Sequence, residues 1–177
     1  MLKNCTKIIY IKNKFNKGYP KAINQGIKIS LLNNKKYFLI TNNDIVFYES
    51  TIDNLIKAAR ETKYGYITAV DEERGLRHIT SYYSDVLCNS CFLIKQSVVN
   101  KIGYYDEHFG LGGEEDRDYI ERMGRVSIER KSVITALVNH KHGLTQCLVK
   151  SNSLDKLRKN REYYEKKHNI KAPWKFD

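Results

Sequence analysis

Apolar residues recur along this chain in two rhythms, one of strands and one of helices. Lys7 to Lys12 (KIIYIK) is a short apolar run of the kind that forms a strand. The polar, glycine-containing stretch Asn13 to Tyr19 predicts a turn after it. Pro20 suits the first position of a helix, and Ala22, Ile23, Ile27 and Leu31 follow at helical spacing up to a stop at Asn33-Asn34. Tyr37 to Thr41 (YFLIT) predicts a buried strand that runs into Asn42-Asn43-Asp44, and Ile45 to Phe47 resumes the extended run. Ser50 with Asp53 resembles a capping box, and Ile52, Leu55, Ile56 and Ala59 line one face of the helix it would start. Tyr66 to Val70 predicts a further strand, followed by a charged, irregular loop over 71–80. Cys91 to Ile94 reads as a strand, Gln96 to Ile102 as a short helix, and Glu115 to Met123 as another helix. Ser132 to Asn139 then reads as a strand and Leu154 to His168 as a basic helix. Strands alternating with helices through the first 70 residues predict an α/β domain with a largely parallel sheet.

Length and composition narrow this picture. The 177 residues contain no repeat or linker and predict one domain with enough chain for a real core. No stretch approaches the roughly 18 apolar residues of a membrane span, and the N-terminus lacks a signal peptide's apolar core. The expectation is a cytoplasmic protein. Cys88 and Cys91 form a C-x-x-C, but Cys5 and Cys147 stand alone, so the second pair of a structural zinc site is missing. Buried reduced thiols are expected instead.

The net charge of +11 is unevenly spread. Residues 1–37 hold nine Lys and no acid, residues 149–177 hold nine basic residues against four acids, and the middle holds 13 basic and 16 acidic residues. Basic ends around an acidic centre suit an acidic pocket for a metal, flanked by surface that attracts phosphate or anionic lipid. A solvated Lys-rich surface gives the same count. Nucleic acid is not an expected partner, because no helix-turn-helix, zinc-finger or aromatic RNA-binding signature accompanies the charge.

Three constellations could carry chemistry. Asn42-Asn43-Asp44 places a carboxylate at a strand end, where it either binds a hard divalent cation or makes an ordinary turn. Gly110, Gly112 and Gly113 precede Glu114, Glu115, Asp116 and Asp118. Such acids either begin a helix favoured by its dipole or include a general base. His140-Lys141-His142-Gly143 follows an apolar strand, so His140 or His142 is a candidate metal ligand.

In this order the motifs resemble those of the family-2 glycosyltransferases of the GT-A fold. The matching segments are NKGYPKAINQGI (16–27), YFLITNNDI (37–45), IGYYDEHFG (102–110), GGEEDRDYIER (112–122) and HKHG (140–143), which together span roughly residues 7–145. The resemblance implies a GT-A-like domain over 1–148, with a mixed, mostly parallel sheet flanked by helices. The basic C-terminal helix and tail over 149–177 are expected to pack on the same domain. It implies donor-binding roles for Asn16, Gly18, Asn24 and Asn42, and a divalent metal, Mn2+ or Mg2+, on Asp44 and His140. Asp116 matches the family's catalytic base. The G-G-E form also resembles the acidic motif of galactosyltransferases, which moves the base to Glu115; Asp118, Tyr119 and Arg122 favour Asp116 by matching its D-x-D-L-x-x-R continuation.

The implied activity is metal-dependent, inverting transfer of a sugar from a nucleotide-sugar donor to a hydroxyl of a glycan, lipid-linked or protein-linked acceptor. The alternative is a catalytically weak or inactive nucleotide-sugar-binding module of the same fold. Met1 falls just before the family's third strand, so its first strand-helix-strand unit is expected to be absent. The edge left open favours a homo-oligomer or an unusual donor pocket. In the C-terminal helix Leu154, Leu157, Arg161 and Tyr164 share a face, which is expected to rest on the domain, with peripheral contact to an anionic membrane as the alternative.

Overall fold

The computed structural model describes residues 8–75, 83–84, 89–141 and 154–171. His142, Gly143, Cys5, Cys88 and Cys147 lie outside them. Along the chain come α1 (Tyr19–Leu32), β1 (Tyr37–Thr41), β2 (Ile45–Phe47), α2 (Thr51–Glu61), β3 (Tyr66–Asp71), α3 (Glu72–Gly75) and β4 (Tyr83–Ser84). They are followed by β5 (Cys91–Lys95), α4 (Gln96–Ile102), a 3-10 turn (Glu107–Phe109), α5 (Glu115–Arg125), β6 (Arg130–His140) and α6 (Leu154–His168). Among the described residues no helix is long and apolar enough to cross a membrane.

Two local expectations are corrected. Ile8 to Lys12 form no strand, and Ile8 and Tyr10 are 73% and 82% exposed. Apolar content alone does not make a strand, which needs a neighbour for its backbone groups. Ser50 sits in the left-handed region at φ 68° and makes no side-chain cap to α2. Thr51 is the buried residue there, with its hydroxyl donating to the Leu137 carbonyl of β6. This rotates α2 so that Thr51, Leu55, Ala58 and Ala59 face inward while Ile52 is exposed. In α1 Asn24 is buried beside Ile23 and Ile27, and Ala22 faces solvent.

The sheet order is β1-β5-β3-β6-β2, with β4 also paired to β6. Only β3 and β6 are parallel neighbours; the pairings β1–β5, β3–β5, β2–β6 and β4–β6 are antiparallel. The sheet is therefore mixed, and the mostly parallel sheet expected from the alternation is not what forms. β1 and β3 do run the same way across α2, but β5 inserts between them in the opposite direction. The C-terminal ends of β1, β3 and β6 and the N-terminal ends of β5 and β2 consequently share one edge. That edge carries the site.

Alternation along the strands divides the core into two layers. Phe92 and Ile94 of β5 join Tyr66, Ile23, Ile27, Val98, Val99, Tyr119 and Met123 under α1, α4 and α5. Cys91 and Leu93 of the same strand join Ile67, Ala69, Val133, Ala136 and Val138 under α2. Each fully buried Leu, Ile or Phe stabilises the fold by about 1.5 to 3 kcal/mol.

α6 rests on the glycine-rich stretch before α5. Asn160 Nδ2 donates to the carbonyls of Phe109 (2.9 Å), Gly112 (2.9 Å) and Gly113 (3.2 Å). The His108 and Tyr163 rings stack at 3.8 Å. On the other side of this stretch Gly18 has φ 83°, and a Cβ there would lie 1.8 Å from the Gly110 carbonyl oxygen. Gly18→Ala is expected to cost about 3 kcal/mol from the clash and the positive φ together. Thermal unfolding should report this as a Tm lowered by about 6 to 12 °C.

Candidate active site

Backbone pairing assembles the first half of the site. Ile45 pairs with His140 across β2 and β6, and the Lys141 N–H donates to the Asp44 carbonyl at 3.0 Å, extending that ladder by one bond. The Asn42 N–H donates to the Ser90 carbonyl at 2.8 Å, tying the strand-end turn to the start of β5. His140 Nε2 lies 3.2 Å from Asp44 Oδ1, with both side chains about nine-tenths buried. His140 Nδ1 meets the Ser90 hydroxyl at 3.0 Å, and Asp44 Oδ1 has no hydrogen-bond partner. A buried carboxylate oxygen left without a donor, facing an imidazole whose other nitrogen is held, is a pair of ligands aimed at one point. Among the described residues no third His, Cys, Asp or Glu joins them.

The second half is the start of α5. Glu114 is its N-cap, in the left-handed region at φ 72°, and carries an ion pair to Arg117 at 3.3 Å. Glu115 is buried; burial raises its pKa, while the backbone N–H groups of Glu115 and Gly113 pull it back. Burial pushes Asp116 further, to about 8, aided by the Glu115 charge and opposed by Arg117. Asp116 Oδ1 is buried without a hydrogen-bond partner, and the residue as a whole is half-buried. A carboxyl poised near neutrality with one oxygen turned inward has the character of an acid–base group. Asp118, by contrast, is fully buried and paired with Arg122 Nε at 2.9 Å, Lys167 Nζ at 2.6 Å and His168 Nε2 at 2.9 Å.

Tyrosines adjoin both halves. Tyr66 OH donates to Asn89 Oδ1 at 3.1 Å, and Tyr19 OH to the Asn89 carbonyl at 3.4 Å, next to Ser90. Tyr105 stacks on Tyr119 at 4.1 Å, and its hydroxyl feels the charge of Asp116.

The other expected donor-binding residues lie on and before α1. Asn16 Oδ1 accepts from the Gly18 N–H at 2.9 Å, shaping the turn that enters the helix. The Asn24 amide is buried and bonded to both the N–H and the carbonyl of Tyr105, at 3.0 and 2.9 Å, and to Glu107 at 3.0 Å. Those bonds join α1 to the segment before α5. Sequence reasoning missed Ser90 and Asn89, which carry no signal beyond their place before a strand. It also missed Asn160 and His168, whose helical spacing with Leu157, Arg161 and Tyr164 marks them as inward-facing polar residues.

A mixed sheet that gathers an N-x-D turn and a strand-end histidine at one edge, flanked by helices, defines a GT-A-type fold. The model of the family described as glycosyl transferase family 2 matches residues 1–109, and the chain belongs to that family. The match ends at Phe109, so α5 and β6 lie beyond it. Among solved structures the fold is similar to that of the mannosyltransferase PcManGT from Pyrobaculum calidifontis, in complex with GDP-Man and Mn2+. The TM-score is 0.57 at 11% identity, over 88% of this chain and 51% of that one. This chain thus spans about half the length of that relative. No curated protein matches the sequence.

Proposed function

We propose that this chain transfers a sugar from a nucleoside-diphosphate sugar to an acceptor hydroxyl, with inversion at the anomeric carbon and with Mn2+ or Mg2+ as cofactor. Family membership supports the reaction class, and PcManGT is a relative in fold seen with a nucleotide sugar and Mn2+. The observation that carries the reading is the Asp44–His140 pair at 3.2 Å with its orphaned carboxylate oxygen. One carboxylate and one imidazole fit a cation that takes its remaining ligands from water and substrate phosphates. Asp44 and His140 would hold that cation, Asn42 would support them, and its charge would stabilise the departing diphosphate.

The chain's own residues supply the rest. Ser90 fixes the His140 ring through Nδ1. Asp116 takes the proton of the acceptor hydroxyl as that oxygen attacks the anomeric carbon. Glu115 is the other candidate for base: it too is buried with an unpartnered carboxylate oxygen, but the Glu115 and Gly113 N–H groups oppose the rise that burial gives its pKa. The Asn160 amide holds the carbonyls before α5 and so sets where Asp116 begins its helix.

Thermal shift with a panel of UDP- and GDP-sugars, with and without Mn2+, tests the reading. A donor at about 100 times its Kd is expected to stabilise the protein by about 2.7 kcal/mol. Asp44→Ala should abolish the part of the shift that depends on Mn2+. A nucleotide-sugar shift equal in size with and without Mn2+ in the wild type would sink the metal assignment.

A further inference from the structure

Three buried polar atoms at or near the start of α5 lack partners: the Tyr105 hydroxyl, Glu115 Oε2 and Asp116 Oδ1. Tyr105 is 3% exposed and its hydroxyl makes no hydrogen bond; the same holds for Asp116 Oδ1. Leaving a buried hydroxyl unpaired is unfavourable, and a phenylalanine would fill the space without that penalty. The Tyr105 ring and Asp116 both flank Tyr119. Asp116 and Tyr119 lie three residues apart on one face of α5, and the Tyr105 ring lies flat on Tyr119 with 4° between the planes. The Asp116 charge reaches the Tyr105 hydroxyl, as do the Tyr66 and Tyr19 phenols from β3 and α1. Those two hydroxyls already have partners on Asn89. The charged groups acting on Asp116 itself are Glu115 and Arg117.

We propose that Tyr105 is a positioning residue for Asp116: when Asp116 ionises, the Tyr105 hydroxyl donates to Oδ1 from inside the domain and leaves Oδ2 free to take the acceptor's proton. The neutral carboxyl does not need this donor and the carboxylate does. A bond made to the charged form alone lowers the pKa of the group that accepts it. Without Tyr105 the proton is held more tightly, and the base is available only at higher pH.

The inference rests on Asp116 being the base, but its first test needs no turnover. In the full-length chain carrying 13C-labelled aspartate, the Asp116 carboxyl resonance, assigned by its absence in Asp116→Asn, should titrate well above the ordinary aspartate range. In Tyr105→Phe the midpoint should rise by about one pH unit, equivalent to a single charge-assisted hydrogen bond, while Tm is unchanged or higher. An unmoved midpoint overturns the proposal whatever the enzyme's activity. With a donor in hand, the pH–rate profile of Tyr105→Phe should shift by the same unit, giving about a tenfold loss at pH 7 that recovers at high pH. A moved midpoint with an unmoved pH–rate profile overturns the catalytic role of the contact, and wild-type turnover in Asp116→Asn overturns the assignment of the base itself.

Discussion

Asp116→Asn is expected to slow sugar transfer by about a thousandfold, the range for loss of a general base, and at the same time to make the protein harder to unfold at pH 8. Both effects come from one cause. Burial holds the Asp116 carboxyl up to about 8, well above the roughly 3.9 of an aspartate in the unfolded chain. Between those values the folded protein keeps a proton that the unfolded chain has released. Raising the pH through that window therefore favours unfolding, and stability falls from about pH 4 until the folded group itself ionises near 8. Asparagine has no proton to lose and shows no such slope. The stability gap between variant and wild type should be small at pH 4, widen to about 2 to 4 kcal/mol at pH 8 and stay constant above it. Thermal melts at those pH values measure the gap, and a gap that does not change with pH would remove Asp116 from the buried, neutral state. Activity runs the other way: a base must be ionised to work, so the wild-type rate should climb through pH 8 and level off above it.

The places where the sequence was legible share a physical reason. β1, β2, α4 and α6 begin and end where periodicity and composition place them, because each is a local pattern with its own boundary signals. The Asp44–His140 pairing was implied by the family resemblance alone, and it is the β2–β6 ladder that brings the two residues together. What was not legible depends on neighbours. Lys7 to Lys12 has strand composition, yet among the described residues Ile8 to Lys12 have no strand beside them. Asn24 looks like a ligand residue in N-x-G-I, and nothing in the sequence says that Tyr105, 81 positions later, will take its amide. The direction of β5 is likewise a property of the whole sheet, since the run Cys91 to Lys95 reads the same in a parallel or an antiparallel pairing.

Asp118 shows how far a polar residue next to a candidate base can serve structure. It is fully buried with three cationic or imidazole partners, Arg122, Lys167 and His168, two of them on α6. Removing one member of such a network leaves the others buried without a counter-charge, so Asp118→Ala is expected to cost about 3 to 5 kcal/mol. Its partners do not suffer equally. The Arg122 guanidinium keeps the carbonyls of Ile102 and Tyr104, at 2.7 and 3.0 Å, and Lys167 keeps Asp106 at 2.6 Å. His168 has no such reserve: its Nδ1 is already unpartnered, and Nε2 loses its bond at 2.9 Å. Damage should therefore spread from the C-terminal end of α6, and amide exchange there should speed up before that of β3 or β5. Lys167→Met makes the comparison, because Asp118 then retains Arg122 and His168 and the cost should be less than half as large. Acid gives an independent reading of the same contact. Burial works against ionisation of Asp106, but Lys167, the His108 N–H and Tyr163 together hold its pKa down to about 2. The stability that Asp106 contributes is thus in place above about pH 4 and is lost as pH falls through 2. Asp106→Asn should flatten that acid limb, and an Asp118→Ala protein that melts within about 2 °C of the wild type would show that α6 is held by its apolar face alone.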